Sequence, residues 1–217
     1  MEKENRERNK IARFFPSEGQ FRRELYKPQL EFFAAGAKYR TRVLLAGNRC
    51  GKTIAGAYET TLHLTGNYPD WWVGKRFTRP IRAVAASDTG RTTREVVQQE
   101  LLGKPGRFGT GMIPFDALER STMRSGVTDA VDTCYVKHIS GGYSTLIFKS
   151  YEQRRECFQG LTLEVAWMDE EMPSEIFDEV LTRTATTEGI CMLTYTPLQG
   201  LTELMQRFLP GGGTELI

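Results

Sequence analysis

The sequence offers little to a metal centre or a disulfide framework. It has four cysteines, Cys50, Cys134, Cys157 and Cys191, widely spread and with no CxxC pair, and only two histidines, His63 and His138. The common zinc spacings are therefore excluded, and the thiols fit a reducing compartment. No apolar run approaches the ~18 residues that a membrane span needs. The N-terminal "MEKENRERNK" is charged with both signs and lacks the apolar centre of a secretory signal. A strong charge imbalance is missing too: the net charge is +2, too mild to argue for nucleic-acid binding, although a local patch would suffice for it. These absences lead to the expectation of a soluble intracellular protein. What is present is ordinary, 40% hydrophobic and 26% charged over 217 residues, which argues against wholesale disorder and allows one sizeable α/β core.

Along the chain, apolar strands alternate with amphipathic helices. "PQLEFFAAGAKY" (28–39) reads as a helix with Pro28 in its first turn. "TRVLLA" (41–46) reads as a buried strand, and the segment after Lys52 as a helix ended by Gly66 and Pro69. "IRAVAAS" (81–87) is a second strand and "RTTREVVQQELL" (91–102) a helix, whereas residues 103–130 are Gly-rich and carry no clear pattern. "TCYVKHI" and "STLIFKSY" flank Gly141-Gly142 as a hairpin. "LEVAWM" (163–168) is a strand, "SEIFDEVLTRTAT" a helix with Ser174 as its expected N-cap, "ICMLTYT" (190–196) a last strand, and 201–208 a short helix. This order predicts an α/β fold with a mostly parallel central sheet flanked by helices. We expect residues 1–27 to form an N-terminal polar segment and the start of a base-binding region, 28–208 the phosphate-loop domain itself, and the Gly-rich 209–217 a linker-like tail.

"LLAGNRCGKTIAG" (44–56) has the strand–turn–Gly-Lys-Thr–helix order of a phosphate-binding loop. Gly-Lys-Thr at a helix start is common by itself; the strand before and the helix after give it meaning. Backbone N–H groups of Gly47, Asn48, Arg49, Cys50 and Gly51 would wrap phosphates at the helix N-terminus. Lys52 would reach the β- and γ-phosphates and the Thr53 hydroxyl would ligate Mg²⁺. Ala46 stands where such loops usually have their first Gly, and Arg49 and Cys50 inside the loop are unusual.

"VAWMDEE" supplies what hydrolysis needs beyond binding. Asp169 and Glu170 fall at the carboxyl end of an apolar strand, the edge where open α/β sheets bind ligands. Asp169 would hold the Mg²⁺ shell, and Glu170 would polarise the attacking water. Alone, the pair reads equally well as a solvated acidic helix start. Together with the loop it matches ATPases that have an additional central strand and a catalytic glutamate, the additional-strand class of P-loop NTPase.

With these motifs the chain resembles the large terminase subunit of tailed bacteriophages, the ATPase of the DNA-packaging motor. "YKPQLEF" looks like the adenine-recognition segment, with Gln29 reading the base edge. "AGNRCGKT" looks like that family's phosphate loop, which tolerates Ala first and a basic residue inside. "LTYTP" looks like its coupling motif, with Thr194 or Thr196 sensing the γ-phosphate. "KSYEQRRECFQG" ahead of the acid pair is close to one branch of the family. The resemblance spans roughly residues 14–205. It implies ATP and Mg²⁺ as cofactors, and double-stranded DNA, a portal protein and a small terminase subunit as partners. It also implies a homo-oligomeric ring that assembles on the portal, in the host cell cytoplasm and away from membrane. Family members carry a C-terminal nuclease domain. This chain ends at a Gly-rich stretch where that domain would begin, so cleavage is not expected from it. Many members place an arginine where Gln159 stands; Arg155, or Arg154 beside it, is the substitute for a cation delivered between subunits, and Arg49 is an alternative supplied in cis.

Two other readings compete. A helicase-like or other P-loop ATPase acting on nucleic acid would share this catalytic plan but should show helicase motifs, which are absent. A nucleotide-binding module without turnover is opposed by Glu170. Lys75, Arg76, Arg79 and Arg82, with Arg91 and Arg94, form basic clusters that fit DNA phosphates or simply a solvated face. Trp71 and Trp72 fit a partner contact or a cover over the chain's own core.

Overall fold

The computed structural model describes residues 7–197, 200 and 202–209. Residues 1–6 and the Gly-rich tail from 210 lie outside the described residues. A seven-stranded sheet forms the centre. Its strands are β1 (Thr41–Leu45), β2 (Arg82–Ser87), β3 (Leu118–Met123), β4 (Val131–Lys137), β5 (Tyr143–Ser150), β6 (Val165–Asp169) and β7 (Ile190–Tyr195). The spatial order is β1-β7-β6-β2-β5-β4-β3. The pairs from β1 to β5 are parallel, and β5, β4 and β3 pair antiparallel at one edge. β7 thus separates β1 from β6, the additional central strand expected from the acid pair.

Strand side chains alternate between two apolar layers, because successive residues of a strand point to opposite faces. Leu44, Ala83, Ala85, Val165, Trp167, Ile190 and Met192 face one core. Val43, Val84, Ala86, Ala166, Met168, Cys191, Leu193 and Tyr195 face the other. Strands covered on both faces read as continuous apolar runs, which made the central strands easy to find. The first layer is closed by α1 (Lys27–Ala35), α2 (Lys52–Thr65) and α3, a continuous helix whose segments are Gly90–Thr92, Thr93–Gln98 and Gln99–Leu102, the middle one a π-helix. The second layer is closed by α4 (Ser174–Ala185), which buries Ile176, Phe177, Val180 and Thr184 on one face, and by α5 (Glu203–Phe208).

Some expectations change. Residues 103–130 contain β3, whose two register shifts against β4 and mostly exposed residues hide its alternation from the sequence. The strand read as 163–168 is Val165–Asp169. Ser174 does not cap α4: Pro173 occupies the cap position and no side-chain cap bond forms. Ahead of residue 28, Phe15 is buried among Tyr26, Phe33 and Tyr58. Trp72 is buried against Phe33 and His63, and Trp71 stacks on Tyr58, so the tryptophan pair covers the chain's own core.

Candidate nucleotide site

The site is built at the carboxyl ends of β1, β7 and β6. Leaving β1, the chain turns through 46–51 and enters α2. Gly51 holds the turn at φ 78°, a left-handed conformation open to glycine and strained for other residues. The preceding Arg49 is also left-handed, at φ 63°, without the exemption a glycine has. The loop is tied from inside. Lys52 Nζ donates to the Gly47 carbonyl at 2.7 Å, which keeps a buried ammonium folded over the loop. Gln29 Nε2 donates to the Cys50 carbonyl at 2.7 Å, so its amide N–H₂ already braces the loop. Asn48 Oδ1 accepts from Thr196 Oγ1 at 3.1 Å.

Across the sheet edge, Thr53 Oγ1 lies 3.2 Å from both carboxylate oxygens of Asp169. Asp169 Oδ1 also accepts from Thr194 Oγ1 at 2.7 Å. The register explains this meeting: Asp169 is paired with Thr194 in the β6–β7 ladder. Asp169 is 3% exposed, and among the described residues no cationic side chain bonds to it. Burial raises its carboxyl to about 7, against the hydrogen bonds from Thr194 and Thr53. A divalent cation would supply the charge that this carboxylate lacks. Among the described residues no group of three or more His, Cys, Asp or Glu could hold a metal alone. Mg²⁺ here would therefore be held by Thr53, Asp169 and the phosphates themselves, the usual arrangement for this ion.

Glu170 turns away from the strand at φ 72°, and its N–H donates to the Thr194 carbonyl at 2.9 Å. Its carboxyl is raised by burial and by Asp88, with Lys52 opposing, which moves it toward the range of a general base. Tyr151 is a residue that sequence reasoning missed. Its buried hydroxyl lies 2.9 Å from the Asp169 carbonyl and 3.1 Å from that of Glu170, pinning the strand end. A cavity of about 800 Å³ opens beside Gly51, lined in part by Tyr26, Gln29, Ile54 and Val96.

The structure thus gathers Gln29, Gly47, Asn48, Cys50, Gly51, Lys52, Thr53, Asp169, Glu170, Thr194 and Thr196 in one place. Arg49 is exposed, with no ion-pair or hydrogen-bond partner among the described residues. Arg155 is half-exposed and lies 3.8 Å from Glu179 on α4. Arg154 links two 3₁₀ turns at φ 61°, and its exposed side chain has no such partner among the described residues. Several basic residues of the other cluster tie loops together. Lys75 donates to the Glu188 carbonyl, Arg76 to the Trp72 carbonyl, and Arg79 pairs with Glu164.

A phosphate loop on β1, an acid pair on β6 and an intervening strand carrying a hydroxyl between them define a P-loop nucleotide-binding domain of the additional-strand type. Comparison with known proteins narrows this class. Residues 43–215 match the family described as "Terminase large subunit, T4likevirus-type, N-terminal". The chain is 35% identical over 204 residues to the large terminase subunit of Salmonella phage P22, covering 85% of this chain and 41% of that one. It therefore spans less than half the length of that relative. Among solved structures, the large terminase of a thermophilic bacteriophage superposes with a TM-score of 0.60 at 15% identity, over 88% of this chain and 44% of that one. A further crystal form of that protein is a complex with ADP, with the same TM-score, identity and coverage. The ATPase domain of the Thermus phage P74-26 large terminase superposes at 0.56 with 21% identity, over 83% and 68% of the two chains. The chain belongs to the large terminase family and carries the family's N-terminal fold.

Proposed function

We propose that this chain is the ATP-hydrolysing motor domain of a viral genome-packaging terminase, coupling hydrolysis to translocation of double-stranded DNA into a procapsid. The observation that carries the reading is the convergence of Lys52, Thr53, Asp169, Glu170 and Thr194 on one sheet edge. In this reading the loop N–H groups and Lys52 bind the β- and γ-phosphates, and Gln29 keeps its carbonyl oxygen for the adenine edge. Thr53 and Asp169 would hold Mg²⁺, which would supply the positive charge that neutralises the phosphates. Glu170 takes a proton from the attacking water. Thr194 and Thr196 link the nucleotide to β7: one bonds to the metal-holding carboxylate and the other to the loop.

Double-stranded DNA, a portal protein and a small terminase subunit are the proposed partners, and a ring of copies on the portal, in the host cytoplasm, is the proposed assembly. An arginine from a neighbouring copy would then complete the site. Arg155 would have to leave Glu179 to serve, whereas Arg154 is unengaged; Arg49 is the cis alternative. Hydrolysis measured against protein concentration, with portal and DNA present, tests this part. We expect turnover per subunit to rise with concentration and the rise to vanish in Arg155→Ala or Arg154→Ala. Turnover independent of concentration, with both variants unaffected, contradicts a shared site.

A further inference from the structure

Trp167 stands two residues before Asp169 on β6, fully buried. A core position there needs only an apolar side chain. Here, instead, the indole N–H donates to Thr194 Oγ1 at 2.8 Å. An indole N–H can only donate, so it occupies a lone pair of the hydroxyl and leaves the single proton of Thr194 to go elsewhere. That proton goes to Asp169 Oδ1, at 2.7 Å. Oδ1 is thereby committed to the protein, while Oδ2 keeps Thr53 alone as a partner. The surroundings are shaped for the indole: a Cβ added at Gly56 of α2 would lie 2.1 Å from Trp167 Nε1. The helix that starts at the phosphate loop therefore gives up a side chain to admit this ring.

We propose that Trp167 is a positioning residue for the metal-holding carboxylate, acting through Thr194. The indole sets the direction of the Thr194 proton, the proton fixes Asp169, and the other carboxylate oxygen, Oδ2, is presented to the cation beside Thr53. The chain Trp167–Thr194–Asp169 also joins the metal position to β7 and, where the indole fills the space left by Gly56, to α2. This rests on reading Thr53 and Asp169 as the Mg²⁺ site.

The test uses the full chain with ¹⁵N-labelled tryptophan. Three indole resonances are expected, from Trp71, Trp72 and Trp167, and Trp167→Phe identifies the third by its loss. ADP is added in EDTA, then Mg²⁺ in excess. We expect the Trp167 resonance to move at the metal step, and Thr194→Val to abolish the movement. The Mg²⁺-dependent gain in ADP affinity should fall about 10-fold in Trp167→Phe and in Thr194→Val, the range for groups that orient metal ligands. Metal-free ADP affinity should be unchanged in Trp167→Phe, and Thr194→Ser should restore the wild-type gain. If Mg²⁺ strengthens ADP binding in both variants as in wild type, or the Trp167 resonance ignores the metal, the relay is refuted. If Mg²⁺ does not strengthen binding to the wild type, the metal reading falls and the relay with it.

Discussion

Glu59→Gln should destabilise the protein far more than its distance from the nucleotide site suggests. Arg42, on β1, is wholly buried and forms a two-pronged pair with Glu59 of α2, at 2.7 and 3.1 Å. It also donates to the Phe32 carbonyl near the end of α1. Glu59 in turn accepts from His63 Nε2 at 3.1 Å, and all three side chains are without exposure. Glutamine keeps the size and some of the hydrogen bonding but leaves the guanidinium without a counter-charge. Breaking a buried pair from one side costs about 3–5 kcal/mol. At about 2–4 °C per kcal/mol for a domain of this size, the melting temperature should fall by roughly 6–20 °C. Urea unfolding of Glu59→Gln, Arg42→Met and the double variant Arg42→Met/Glu59→Leu measures it. The double variant should recover most of the loss, because removing both charges leaves none uncompensated. A Glu59→Gln loss below about 1 kcal/mol, or a double variant as unstable as the sum of the singles, would refute the reasoning.

His63 is held neutral below its ordinary range, first by burial and then by Arg42, against the pull of Glu59. The unfolded chain therefore binds a proton at His63 before the folded chain does, so its contribution is present above about pH 6.5 and is lost as pH falls from there toward the folded value. In His63→Gln, stability should fall less steeply than in wild type between about pH 6.5 and 5, measured by urea midpoint. Gly56→Ala drives a methyl into the Trp167 indole; a cost of about 1–3 kcal/mol is expected on thermal unfolding, together with weaker Mg²⁺-dependent binding. Asp169→Asn removes a buried carboxylate whose side-chain bonds, among the described residues, are to hydroxyls alone. It should raise the stability of the ligand-free protein at about pH 8 by about 1–2 kcal/mol, a gain typical of relieved active-site strain, while abolishing the Mg²⁺-dependent gain in nucleotide affinity.

The central sheet and the phosphate loop were legible because their signals are local. Doubly covered strands write continuous apolar runs, and Gly51-Lys52-Thr53 falls between such a run and a helix. Asp169 and Glu170 were legible for the same reason, at the end of a strand. The Trp167–Thr194 bond was not: it depends on β6 and β7 lying side by side in one register, and the sequence shows only two apolar runs with a helix between them. Arg42 was passed over inside "TRVLLA", although a lone charge in an apolar strand is itself a signal. Its partners Glu59 and His63, four apart on one helix, were the second half of that signal. β3 was hidden because an edge strand with register shifts and exposed residues writes no alternation. The roles proposed for Arg154 and Arg155 would depend on a neighbouring copy, which no single chain encodes locally.

The central claim is that Glu170 drives hydrolysis at a site whose nucleotide grip belongs to Lys52, Thr53 and Asp169. Single-turnover hydrolysis and equilibrium binding of Mg²⁺·ATP by wild type, Lys52→Ala and Glu170→Gln test it together. Lys52→Ala should lose binding. Glu170→Gln should bind as wild type does and turn over about 10²–10⁴-fold more slowly, the range for a lost acid–base group. Wild-type turnover by Glu170→Gln, or undiminished binding by Lys52→Ala, would contradict the account.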